Sequence, residues 1–162
     1  KLRVERNMEL AATRGALGVT SLRVFNVFGP GQRGDFLIPR LLEQLESGDR
    51  VVLGELDHAR DWIHVRDVCA AFVCALRTPA PPATFRALNV ASGRATSARQ
   101  IVALVESVVG RRISIERDPG RARPSEVAEE RASAALLGEL GWRVGTSLED
   151  GVRELFGAPR AF

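Results

Sequence analysis

The chain has 162 residues and a mass of 17.6 kDa, enough for one domain or a large piece of a bigger one. Apolar residues make up 45% and charged residues 27%, which excludes a disordered chain, and no run approaches the roughly 20 apolar residues of a membrane-spanning helix. The net charge of +3, from 23 basic and 20 acidic residues, is too balanced for a nucleic-acid-binding domain, and no basic-then-apolar leader is present, so a cytoplasmic location with no membrane partner is expected.

In chain order, residues 1–14 read as a helix with Val4, Met8 and Ala11 or Ala12 on one face, ended by Gly15 and Gly18. Val19 to Phe25 reads as a strand that stops at Asn26, and Gly29-Pro30-Gly31 makes a turn-rich loop. Ile38, Leu41, Leu42 and Leu45 follow the i, i+3, i+4, i+7 pattern of a helix, with Asp35 as its expected cap. Two short strands follow, at Arg50–Leu53 and Asp61–Val65. Asp67 is expected to cap a helix carrying Val68, Phe72, Ala75 and Leu76. After the Pro79–Pro82 break, Phe85–Val90 is a strand. Ser97 and Gln100 then form a capping box before a helix that runs to Gly110. Arg112–Ile115 alternates like a strand, 117–124 is loop-like, and two short helices close the chain. Strands that alternate with helices make the class α/β with a mainly parallel sheet.

Several residue types bear on chemistry. Lys1 is the one lysine and stands where a Met would begin a whole chain, which reads as a fragment or a processed protein. Arginine supplies the rest of the basic charge; that suits bidentate recognition of phosphate, and a GC-rich genome gives the same excess. There is no tyrosine, so a mechanism that needs a catalytic Tyr cannot be complete in these residues. Cys69 and Cys74 point about 140° apart on their helix and should not pair; they read as small buried apolar residues. His58 and His64 flank no ligand-spaced cluster, so no metal is expected.

A strand that ends at Asn26 before a Gly-Pro loop puts a side-chain amide at the carboxyl end of a sheet, where open α/β folds bind ligands; alternatively Asn26 only caps its own turn. Arg60 opens a strand, where a guanidinium can grip a phosphate, and Asp61 can orient it. His64 reads as structural. Arg111, Arg112, Arg117, Arg121 and Arg123 form either a phosphate loop or a solvated basic face without interleaved aromatics. No dinucleotide phosphate loop is expected in this sequence.

Taken together, five segments resemble, in order, the C-terminal half of an extended short-chain dehydrogenase/reductase of the NAD-dependent sugar-nucleotide epimerase/dehydratase family. Lys1-Leu2-Arg3-Val4-Glu5 resembles the end of the Tyr-x-x-x-Lys motif and the helix behind it. Arg23–Pro30 resembles Arg-x-Phe-Asn-Val-Tyr-Gly-Pro, with Phe28 for Tyr. Arg60–Val68 resembles Arg-Asp-Phe-Ile-His-Val-x-Asp-Val, and Leu88–Gly93 resembles Tyr-Asn-Val-x-Ser-Gly. Arg123–Glu126, followed by Leu140-Gly141-Trp142, completes the series. In place of the Asp the family often has before that last motif stand Glu129, Glu130 and Arg131.

The resemblance implies a Rossmann-like fold, with residues 1–30 a remnant of the NAD(P)-binding domain. Residues 31–162 would be mainly the smaller substrate domain, with some segments returning to the Rossmann sheet. It implies an enzyme, NAD(P)-dependent when intact, that epimerises or dehydrates a nucleotide-diphosphate sugar through a 4-keto intermediate, as a homodimer. The present residues alone would be inactive. Lys1 would be the active-site lysine and hold the cofactor ribose, with Phe25 and Pro30 also on the cofactor side. Asn26 would meet the substrate near its diphosphate. Leu37 and Ile38 would line the nucleotide pocket, and Val51 and Leu53 would pack on the base. Arg60 and Arg123 would clamp the diphosphate, and Glu126 would reach the nucleotide ribose.

Gly54–Trp62 resembles GDP-mannose dehydratases and GDP-deoxysugar reductases, whereas Phe25–Pro30 is more typical of epimerases of UDP-sugars. The alternatives are thus a GDP-4-keto-6-deoxysugar reductase and a non-catalytic sugar-nucleotide-binding module.

Overall fold

The computed structural model describes residues 2–121 and 127–157. Helix α1 (Leu2–Gly15) leads into strand β1 (Val19–Val24), and after Phe25 the chain continues as strand β2 (Asn26–Phe28). Helix α2 (Leu37–Glu46), strand β3 (Arg50–Leu53), strand β4 (Ala59–His64) and helix α3 (Val65–Arg77) follow. The second half holds strand β5 (Phe85–Val90), strand β6 (Ala95–Ser97), helix α4 (Ala98–Val109), strand β7 (Ser114–Arg117), a 3-10 turn at Pro119–Arg121, strand β8 (Glu129–Glu130) and helices α5 (Ala135–Glu139) and α6 (Leu148–Phe156).

The architecture is α/β and its pairings are mainly parallel, as the alternation of elements predicts. β1 pairs with β5 in parallel, β2 with β4, β3 with β7 and β8 with β4; β6 joins β4 antiparallel. The chain passes from one sheet to another between Val24 and Asn26, where the Phe25 amide still donates to the Val90 carbonyl at 3.2 Å.

Two cores hold these layers. In the first, Ile38, Leu41 and Leu45 of α2 meet Val51 and Leu53 of β3, Ile101 and Val105 of α4, and Val152 of α6. Each such fully buried side chain contributes roughly 1.5–3 kcal/mol relative to exposure. The second joins Leu88 and Val90 of β5, Ile63 of β4 and Ala71 of α3 to Leu137 and Trp142. Gly151 lets α6 come close: a Cβ there would stand 2.5 Å from Cε2 of Phe28 and 3.0 Å from Cδ2 of His64.

One side of the β1–β5 layer is unfinished. Among the described residues β1 has a partner on one edge only. The flanking helices expose Leu2 (82%), Val4 and Met8 on α1, and Phe72, Val73 and Leu76 (80%) on α3. This strand edge and this apolar surface are open to solvent. No helix among the described residues is long and apolar enough to cross a membrane.

Several local expectations change. α2 is capped by Phe36 with no side-chain bond; Asp35 instead lies 3.7 Å from Arg33, and burial of the apolar face starts the helix without a polar cap. β6 and β8 are too short to show alternation and exist because β4 offers them an edge. β7 begins at Ser114, two residues later than the alternation suggests. Cys69 is exposed rather than buried, and Cys74 is half-buried with its thiol donating to the Leu140 carbonyl at 3.3 Å. The Ser97–Gln100 capping box and the left-handed Gly110 (φ 69°) are found where predicted.

Candidate functional site

The candidate site lies where the chain leaves the β1–β5 layer for the β2–β4 sheet. Carboxyl ends of parallel strands that diverge in this way leave a crevice that ligands fill. Asn26 begins β2 opposite Trp62 of β4, and its Nδ2 donates to the Asp61 carbonyl at 3.2 Å. The amide therefore bridges two strands rather than capping its own turn. Arg60 is one residue further along β4.

Asp61 does something other than orient Arg60. Its carboxylate is fully buried and accepts from the Ser92 amide and hydroxyl, both at 2.7 Å, and from the amides of Gly93 (2.9 Å) and Ala132 (3.4 Å). One side chain thus ties β4 to the turn that follows β5 and to the segment that follows β8. A carboxylate has enough lone pairs for all of these donors, and no neutral side chain of this size does.

Arg60 is oriented by β8. Its Nη1 donates to the carbonyls of Ala59 (2.8 Å) and Val127 (3.1 Å), and its Nε lies 3.5 Å from Oε2 of Glu130. The side chain is 21% exposed.

Asp67 likewise has a longer-range role than capping its own helix. His64 is the N-cap of α3, its Nδ1 accepting from the Arg66 amide at 3.3 Å. Asp67, in the first turn, accepts from the amides of Gly145 (2.9 Å) and Thr146 (3.0 Å) and so fixes the approach to α6. His64 is structural, as the sequence suggests. Its ring is fully buried, edge-on to Phe28 of β2 at 5.2 Å, and its Nε2 faces Oε2 of Glu154 on α6 at 3.4 Å without forming a hydrogen bond.

Burial pushes the His64 imidazole below its usual pKa of 6.5; Glu154 and Asp67 oppose this and Arg66 adds to it. An imidazole whose Nδ1 accepts a hydrogen bond is neutral. The unfolded chain therefore takes up the proton at higher pH than the folded one. Stability from this group is complete above about pH 6.5 and declines as pH falls below it. Denaturant unfolding from about pH 7.5 to 5.5 should show that decline, and His64→Asn should flatten it; an unchanged slope in the variant would contradict the assignment.

The other expected site residues are placed as follows. Phe25 is half-buried at the crossover, and Pro30 is exposed in the loop after β2. Leu37 is half-buried at the start of α2. Ile38, Val51 and Leu53 are 0%, 0% and 4% exposed and belong to the first core. Lys1, Arg123 and Glu126 lie outside the described residues. The described arginines of the basic run, Arg111, Arg112 and Arg117, each face a carboxylate. Arg111 pairs with Asp49 at 2.5 Å, Arg112 with Glu106 at 3.6 Å and Arg117 with Glu55 at 3.5 Å. No cluster of potential metal ligands occurs among the described residues.

Residues 1–91 match the NAD dependent epimerase/dehydratase family. The chain belongs to this family. Over 140 residues, 82% of its length, it is 29% identical to the GDP-6-deoxy-D-mannose reductase of Pseudomonas aeruginosa, of which it spans 45%. It is 28% identical to the dTDP-4-dehydro-6-deoxyglucose reductase of Escherichia coli over 83% of this chain and 43% of that protein. Two solved structures agree. RMD from Pseudomonas aeruginosa complexed with NADPH superposes with a TM-score of 0.81 at 26% identity, over 96% of this chain and 53% of that one. MoeE5 in complex with UDP-glucuronic acid and NAD gives 0.81 at 31% identity, over 93% and 50%. This epimerase/dehydratase chain therefore spans about half the length of the relatives it matches.

The family is NAD-dependent. A G-x-G-x-x-G spacing occurs at Gly29, Gly31 and Gly34 between β2 and α2, but Gly34 packs against the Glu43 carboxylate, so this turn sets an anion where a cofactor phosphate would sit and does not fit a dinucleotide.

Proposed function

We propose that this chain is the C-terminal, substrate-binding half of an NAD(P)-dependent epimerase/dehydratase that acts on a nucleotide-diphosphate sugar through a 4-keto intermediate. Residues 1–30 belong with the cofactor domain and 31–162 mainly with the substrate. The observation that carries this reading is the pairing of Asn26 with β4 beside Arg60, at the divergence of two parallel layers, in a chain of this family. Arg60 and Arg123 grip the diphosphate, and Leu37 and Glu126 belong to the nucleotide pocket. In this reading a preceding segment carries the cofactor loop and the catalytic Tyr and packs on the open β1 edge and the apolar surface of α1 and α3. The nicotinamide supplies the redox step when bound, and this chain binds and orients the sugar.

A GDP-4-keto-6-deoxysugar reductase is the second reading. It is favoured by the Gly54–Trp62 segment and by the likeness to GDP-6-deoxy-D-mannose reductase.

Calorimetric titration of the chain with GDP-mannose, UDP-glucose and NAD⁺ tests the proposal. Binding of one sugar nucleotide without NAD⁺ is expected, and its base discriminates the two readings. Binding of NAD⁺ with no sugar nucleotide would overturn the assignment.

A further inference from the structure

We propose that Glu130 is a placeholder for the ligand's phosphate: it occupies the Nε edge of Arg60 and must give way when a diphosphate binds. The inference rests on the reading of Arg60 as a diphosphate contact and adds a residue that sets the strength of that contact.

The carboxylates of Asp61 and Glu130 differ in kind. Asp61 is fully buried and bound by three backbone amides on two segments, so it cannot move without undoing the fold. Glu130 is 52% exposed and has ready access to water. β8 pairs with β4 in a register that sets Glu130 directly beside Arg60. Nη1 of the guanidinium is held by the carbonyl of Ala59, its neighbour on β4, and by that of Val127, two residues before β8, and its Nε lies 3.5 Å from Oε2 of Glu130.

A phosphate on that edge would stand within about 6 Å of the Glu130 carboxylate, and like charges at that separation repel even near the surface. An exposed ion pair of this length is weak, so its opening is a small tax on ligand affinity rather than a block. Glu129 next to it is already engaged by Arg131 at 3.0 Å and is not paired in register with Arg60, so it serves as the control for simple loss of charge.

Calorimetry of the full chain with GDP and with UDP, for wild type, Glu130→Gln, Glu129→Gln, Arg60→Ala and the Arg60→Ala/Glu130→Gln double variant, tests this. Glu130→Gln should tighten binding about 3- to 10-fold, Glu129→Gln should change it less than about 2-fold, and the gain should vanish in the Arg60→Ala background. Glu130→Ala provides a second variant with the same expected sign. Unchanged or weaker binding in both Glu130 variants overturns the placeholder, as does an equal gain in Glu129→Gln. If Arg60→Ala weakens binding while the Glu130 variants do not strengthen it, the Arg60 reading stands and the placeholder falls. If Arg60→Ala binds like wild type, or wild type binds neither nucleotide, both fall.

Discussion

Asp61→Ala is expected to lower stability by about 2–4 kcal/mol, a fall in Tm on the order of 10 °C for a chain of this size. The mechanism is specific. The substitution removes the acceptor of three backbone amides, those of Ser92, Gly93 and Ala132, and of the Ser92 hydroxyl. Buried donors left without a partner cost more than the bonds contributed net, because they lost water on folding and regain nothing. Asp61→Asn should recover part of the loss, since one oxygen still accepts while the amide nitrogen opposes the remaining donors. Thermal unfolding of the two variants checks this, and a change below about 0.5 kcal/mol in Asp61→Ala would show that the carboxylate is not the tie between these segments.

Arg60→Ala is expected to weaken nucleotide-sugar binding by about 2–4 kcal/mol, or roughly 30- to 1,000-fold, through loss of a charge-assisted contact to the diphosphate. Its effect on folding should be much smaller. Among the described residues, its hydrogen bonds are to two carbonyls near the surface, and its ion pair to Glu130 is exposed on one side. Binding and stability measurements should thus separate the two neighbours on β4, with Asp61→Ala acting on the fold and Arg60→Ala on the ligand. Arg60→Lys should recover little of the affinity, because an ammonium cannot reproduce the planar fork. An affinity in Arg60→Ala equal to that of the wild type, measured by calorimetry, would remove Arg60 from the site.

The segment Arg60–Val68 shows how much was legible in advance. Its residue types marked β4 and α3 and singled out Arg60, Asp61, His64 and Asp67, because charged residues among apolar ones on a strand and at a helix start need a reason. Their partners were not legible. Asp67 serves amides 78 and 79 residues away and Asp61 serves amides 31 to 71 residues away. No local pattern encodes such distances. Ile38, Val51 and Leu53 are buried in the first core, and apolar periodicity reports only that a face is buried, silent on whether a core or a ligand buries it.

What the sequence determined by itself is the order and type of the longer elements, the α/β class, the capping box at Ser97 and the family. These depend on periodicity and on residues close together in the chain. What only the tertiary structure decided is which strand finds which edge, including the two- and three-residue strands β8 and β6. It also decided which amides the buried carboxylates satisfy and that Glu130 comes to rest beside Arg60. The physical reason is that hydrogen bonding and ion pairing at short strands and buried carboxylates are chosen by the partners folding brings within about 3 Å, not by the residues on either side.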